Sequence, residues 1–161
     1  MDPLTALAQY IVQPAYADPT ESYYPTAGQQ TMSNEGFSPT PYKDTKGVSH
    51  IGYGFNLDAH PELPRVMSKE SALPYFNKFF KEADSRAMKF AGKRWRQITD
   101  SQRAVLADMA YNLQGKLSGF EDMRANLMSG NDQGVQNDMV DSNWYRQVKS
   151  RGVRNVKNWA K

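Results

Sequence analysis

Glu35, Asp44 and His50 fall within one short run, NEGFSPTPYKDTKGVSHIGYG (residues 34–54), two carboxylates nine positions apart and an imidazole six positions further on. Cleavage of a glycosidic bond uses such a set. A protonated acid donates to the leaving oxygen, and a second group on the other side of the sugar stabilises positive charge or directs water. The two acids must sit in unlike environments. In MSNEG, Glu35 precedes Gly36, a residue suited to the left-handed conformation that ends a helix. Glu35 is therefore expected at a helix C-terminus, where the negative end of the macrodipole and partial burial both favour its protonated form. Raising such a glutamate from about 4.3 to about 6 takes roughly 2 kcal/mol of differential interaction. Asp44, in the turn-rich YKDTKG, is expected on a solvated turn and ionised. The same residues also suit a plain helix end and a plain turn, and spacing alone leaves that reading open.

The elements that would position these groups follow from the pattern around them. After the turn, Ser49, Ile51, Tyr53 and Phe55 alternate with Val48, His50, Gly52 and Gly54, which predicts a strand with an apolar core face. The opposite face carries His50 and two glycines, whose missing side chains allow close approach to the backbone. A long helix is expected over 71–91, with Ser71 as its cap, Pro74 in its first turn, and Leu73, Phe76, Phe80, Ala83 and Ala87 at helical spacing. Two capping-box patterns, TDSQ at 99–102 and SGFE at 118–121, predict further helices. They run ahead of Val105, Leu106, Met109 and Leu113 and of Met123 and Leu127, with Gly130 closing the second. Trp144, Val153, Val156 and Trp159 suggest one or two more helices that bring the chain back against the body. His60, in DAHPEL, reads as an ordinary loop residue.

Composition limits the rest. A chain of 161 residues that is 39% hydrophobic and 23% charged can bury a core, and it lacks any apolar run of the roughly 18 residues that a membrane span needs. With no cysteine, disulfides, thiolate metal sites and cysteine nucleophiles are excluded, and two histidines make a histidine-rich metal site a poor expectation. Six of the 20 basic residues and none of the 17 acidic ones lie in 142–161, a basic surface suited to a polyanion. The first 31 residues are cut by Pro3, Pro14, Pro19 and Pro25, and only LTALAQYIVQ is long enough for a short helix. They read as an extension. Asp2 and the interrupting Gln9 and Gln13 argue against a cleaved export signal despite Ala15 and Ala17.

The run NEG...PYKDTKG...HIGYGFNL resembles the active-site segment of the phage-type lysozymes (glycoside hydrolase family 24). There a helix-ending glutamate precedes a Y-x-D-x-x-G hairpin and a T-x-G-x-G strand. The similarity continues through the helix at 71–91, YNLQGKLSGF at 111–120 and SNWYRQVKSRGVR at 142–154, and covers about 130 residues.

What the resemblance implies is an α+β, lysozyme-like fold. The expected parts are a sheet lobe over about 32–70, an inter-lobe helix over about 71–91 and a helical lobe over about 92–161, with the cleft between the lobes. Position by position, it implies Glu35 as general acid, Asp44 as the carboxylate near the anomeric carbon, and Arg151 approaching Glu35 from the helical lobe. Such a cation would oppose burial and the dipole, leaving the unbound enzyme a partly ionised glutamate. Gly54, Phe55, Tyr111 and Asn112 fall where the family lines its cleft. His50 departs from the pattern, which usually has threonine. A neutral imidazole can take a proton from water or attack the anomeric carbon itself, so the stereochemical outcome is open between inversion and retention. A third possibility is that His50 only hydrogen-bonds Asp44.

The implied substrate is bacterial peptidoglycan, cut at the β-1,4 link between N-acetylmuramic acid and N-acetylglucosamine. Neither a metal nor an organic cofactor, nor a nucleic-acid partner, is implied, and a monomer is expected. An endolysin would wait in the host cytoplasm until release to the periplasm or wall. Alternatively, residues 1–31 would tether a virion-associated lysozyme to other virion proteins. A lytic transglycosylase and a catalytically silent wall-binding or virion structural module are the rival functions.

Overall fold

In a computed structural model, residues 23–161 are described. The short helix expected within LTALAQYIVQ lies outside them. The first described element, α1 (Tyr23–Glu35), begins earlier than the extension boundary at 31 suggests, with Pro25 in its first turn, where no intrahelical N–H bond is required. Gly36 ends it at φ 68°, its N–H donating to Met32 O at 3.0 Å. Helix α1 packs against α3 (Asp100–Leu113). The residue that ends α1 is thereby attached to the helices, although the sheet follows it in sequence.

Strands β1 (Ser38–Lys43), β2 (Ser49–Gly52) and β3 (Phe55–Asn56) form an antiparallel sheet in chain order. Tyr42 pairs with His50 and His50 with Asn56, which makes the imidazole-bearing strand the central one. The register slips between Ser38 and Tyr42, across Pro39 and Pro41, prolines that an edge strand tolerates. The single strand expected over 48–55 is instead two short strands, because Gly52 and Gly54 adopt φ 64° and 73° and turn the chain back on itself. The alternation survives the turn: Ile51, Tyr53 and Phe55 are all buried.

Helix α2 (Lys69–Ala91) passes from the sheet to the remaining helices. Its cap is Ser68, three residues before the expected Ser71. Ser71 completes a reciprocal capping box with Ser68, since each side chain accepts from the other's N–H. Leu73, Phe76, Phe80, Ala83 and Ala87 form the buried stripe. Each large side chain removed from water there contributes about 1.5–3 kcal/mol. Toward the sheet, Phe55 packs on Tyr75 and Phe79, and Tyr53 on Phe76.

Helix α3 begins at Thr99 with the expected capping box to Gln102. The second expected box does not form. Residues Gln114–Gly119 make a 3₁₀ turn, within which Ser118 Oγ donates to Gly115 O, and α4 (Glu121–Ser129) starts after Phe120 without a side-chain cap. Helices α5 (Asp132–Asp141), α6 (Asn143–Val148) and α7 (Ser150–Trp159) complete the body. Trp144 and Trp159 are buried as expected, whereas Val153 faces solvent. Trp159 Nε1 donates to Asp132 Oδ1 and its carbonyl accepts from Gln102, anchoring α7 to α5 and α3. No helix among the described residues is long and apolar enough to cross a membrane.

Candidate active site

Glu35 sits at the foot of α1, its side chain 12% exposed. Arg151 Nη1 donates to its Oε1 at 2.7 Å from α7, a contact spanning 116 positions of sequence. Loss of hydration on burial raises the carboxyl above its ordinary value, and the nearby Asp108 charge acts in the same direction. The Arg151 guanidinium and its hydrogen bond pull the other way, but burial outweighs them. Glu35 therefore keeps its proton to a higher pH than an exposed glutamate does.

Asp44 combines two jobs. Its Oδ1 accepts from the N–H groups of Lys46 and Val48 at 2.8 and 2.9 Å, fixing the β1–β2 turn as an Asx motif. Its Oδ2 is left for His50 Nε2, 3.0 Å away. The hydrogen bond from His50 is the first cause that holds Asp44 below its ordinary value, and the Val48 N–H adds to it. The turn contacts and the His50 contact thus use different oxygens of one carboxylate.

His50 reaches in both directions. Its Nδ1 lies 3.2 Å from Gly54 O while Nε2 meets Asp44. Both partners are acceptors, so a neutral ring donates to only one of them, the tautomer deciding which, and its other nitrogen then faces an oxygen without a hydrogen bond. Tyr42 stacks on the ring at 5.6 Å between centroids.

Gly54 connects the two carboxyls. Its carbonyl meets His50, and a Cβ built on it would overlap Glu35 Oε2. The approach expected of a ligand to this backbone is made by the Glu35 carboxyl itself. Gly52 offers no such opening, since a Cβ there would lie 2.6 Å from the Phe55 ring.

The expected cleft-lining residues separate into different roles. Gly54, Phe55 and Tyr111 border a small cavity of about 80 Å³ with Asn56, His60, Phe79 and others. The Phe55 ring is buried and belongs to the core. Tyr111 OH donates to Tyr53 O at 2.7 Å, tying α3 to the β2–β3 turn. Asn112 instead accepts from Trp144 Nε1 at 3.1 Å and fastens α6 to α3. His60, expected as a plain loop residue, lies against Phe79 at 4.7 Å and lines the small cavity. A larger groove of about 660 Å³ is walled by Lys46 of the β1–β2 turn and, among others, by Leu113, Asp141 and Trp144 of the helices. The turn bearing Asp44 therefore faces the helical body across open space.

Sequence reasoning missed Asp108, Thr31 and Asn155, all buried around Arg151. Asp108 lies three positions after Val105 and three before Tyr111. An acid on an otherwise apolar helical stripe was the available signal. Among the described residues no group of three or more His, Asp or Glu side chains is gathered as a metal site.

A small antiparallel sheet, a helical body and a long helix between them make an α+β, lysozyme-like layout. Residues 32–158 match the family model described as phage lysozyme, and the chain belongs to that family. It is accordingly a peptidoglycan hydrolase. No curated protein matches the chain significantly.

Proposed function

We propose that this hydrolase is a muramidase that cuts the β-1,4 link between N-acetylmuramic acid and N-acetylglucosamine, with Glu35 as general acid and Asp44, oriented by His50, on the opposite side of the sugar. The observation that carries the reading is the opposed setting of the two carboxyls. Burial favours the proton on Glu35, while two backbone N–H groups and His50 favour the charge on Asp44. Paired groups whose environments push their proton affinities apart are the signature of an acid and its charged counterpart.

Glu35 donates to the bridging oxygen as the bond breaks, and Asp44 stabilises the positive charge that grows on the ring. His50 acts here as the orienting partner. Its ring nitrogens lie against Asp44 Oδ2 and Gly54 O, so the ring would have to turn away from one of these oxygens to attack carbon or take a proton from water. Gly54 and Tyr111 border the small cavity beside the acid, and the Asn56 and Gln114 side chains there offer amide groups to sugar hydroxyls. The basic C-terminal helix adds attraction to an anionic wall.

Digestion of purified peptidoglycan tests the reading. Reducing muramic-acid ends, identified by fragment mass, are expected, and the anomer released first reports inversion or retention. A 1,6-anhydro product would identify a transglycosylase instead, and unchanged wall turbidity would identify a silent binding module.

A further inference from the structure

Arg151 faces two carboxyls, and it divides its donors unequally. Nη1 goes to Glu35, whereas Nε and Nη2 grip Asp108 at 2.9 and 2.8 Å. Asp108 receives two more donors, Thr31 Oγ1 at 2.9 Å on Oδ1 and Asn155 Nδ2 at 2.8 Å on Oδ2. Thr31, Asp108, Arg151 and Asn155 are all buried. One cation between two ionised carboxyls would leave an excess negative charge out of water, which is costly, so a single proton neutralises the cluster. That proton goes to the carboxyl with fewer donors for its charge. Asp108 has the two guanidinium contacts, the hydroxyl and the amide; Glu35 has one guanidinium contact on Oε1. Among the described residues Oε2 takes no hydrogen bond, and it lies at Gly54.

We propose that Asp108 is a positioning residue: by engaging two donors of Arg151 and holding the ionised form itself, it reserves the acid proton for Glu35 Oε2. This deepens the assignment of Glu35 as general acid and rests on it. The guanidinium would otherwise be free to pair fully with Glu35 and strip it of its proton. Asp108 turns Arg151 from an antagonist of the acid into the centre of a neutral cluster. The other groups that bear on Glu35 are His50 of β2, Tyr42 of β1, Tyr111 of α3 and, through its bonds to Asn34, Arg154 of α7. None of these takes a donor away from Arg151.

The test is a carbon-13 titration of the Glu35 side-chain carboxyl in the full chain without substrate. Wild type is compared with Asp108→Asn, Thr31→Val and Asp108→Asn/Arg151→Met. In Asp108→Asn the midpoint is expected to fall by about one pH unit, since an opposite charge within a few ångströms shifts a carboxyl by about that much or more. The alkaline limb of wall lysis should fall with it while the rate on the acid side is kept. Thr31→Val, which removes one donor from Asp108, should shift the midpoint the same way by less. The double variant should return it upward, a reversal that a merely structural role would not produce. An unchanged or raised midpoint in Asp108→Asn overturns the proposal. If that variant does not fold, the same result in Thr31→Val overturns it. Because the titration needs no turnover, it stands apart from the muramidase assignment, which fails separately if a Glu35→Gln variant still lyses walls.

Discussion

Gly54 and Glu35 compete for one volume: the Glu35 carboxyl lies where any side chain at position 54 would begin. Gly54→Ala should therefore fail twice. Its φ of 73° costs an L-residue about 1–2 kcal/mol, and the new methyl displaces the acid. Urea denaturation should register the loss of stability. Wall lysis should drop by about 10²-fold, the usual consequence of misplacing a reacting group by an ångström.

Glu35→Gln should lose about 10²–10⁴-fold in lysis, the range typical of removing a general acid, while the fold is kept. Its effect on stability has a defined sign. Burial raises Glu35 above 4.5, so its favourable contribution is fully present below 4.5 and is lost as pH rises through the folded-state value. Glutamine cannot ionise. Melting temperatures should therefore separate in the variant's favour as pH climbs past that window.

His50→Thr addresses the acid limb of the activity profile. The His50 hydrogen bond is the first cause holding Asp44 below 3.8, so its removal should move the limb upward in pH, toward 3.8. Loss of rate at low pH with retained rate near neutrality is the expected pattern. A change in the product anomer would show that His50 takes part in bond making, and an unmoved limb would end its orienting role.

Thr99→Ala and Ser118→Ala form a matched pair. Thr99 accepts from Gln102 N at the start of α3, and its loss should cost about 1 kcal/mol. Ser118 caps nothing in α4, and its loss should stay within about 0.5 kcal/mol. Equilibrium unfolding of both variants checks the contrast.

Much of this molecule was legible because its signals are local. The turn geometry of Asp44, the glycine that ends α1, the apolar stripe of α2 and the box at Thr99 each depend on residues a few positions apart. Errors arose where two local readings competed. Ser68 and Ser71 both suit a cap, and the box needs both, so the choice of Ser71 mistook one half for the whole. At SGFE the preceding 3₁₀ turn claimed Ser118 first. Asp108 was hidden for a different reason. Its meaning lies in Arg151, Thr31 and Asn155, which reach it only through tertiary packing, and no spacing rule joins them. His50 was visible as a departure, but not the placement of its second ring nitrogen against Gly54 O.

The attachment of α1 to α3 has a mechanical consequence. Glu35 is carried by the helices, together with Arg151 and Asp108, whereas Asp44 is carried by the hairpin. The Tyr111–Tyr53 bond and the contact of Gly54 with the Glu35 carboxyl hold the β2–β3 turn to the helices, so flexing along α2 would change the gap between the two only by disturbing both contacts. The spacing of the two carboxyls and the surroundings of Glu35 are thus joined through one glycine, and neither can be altered alone.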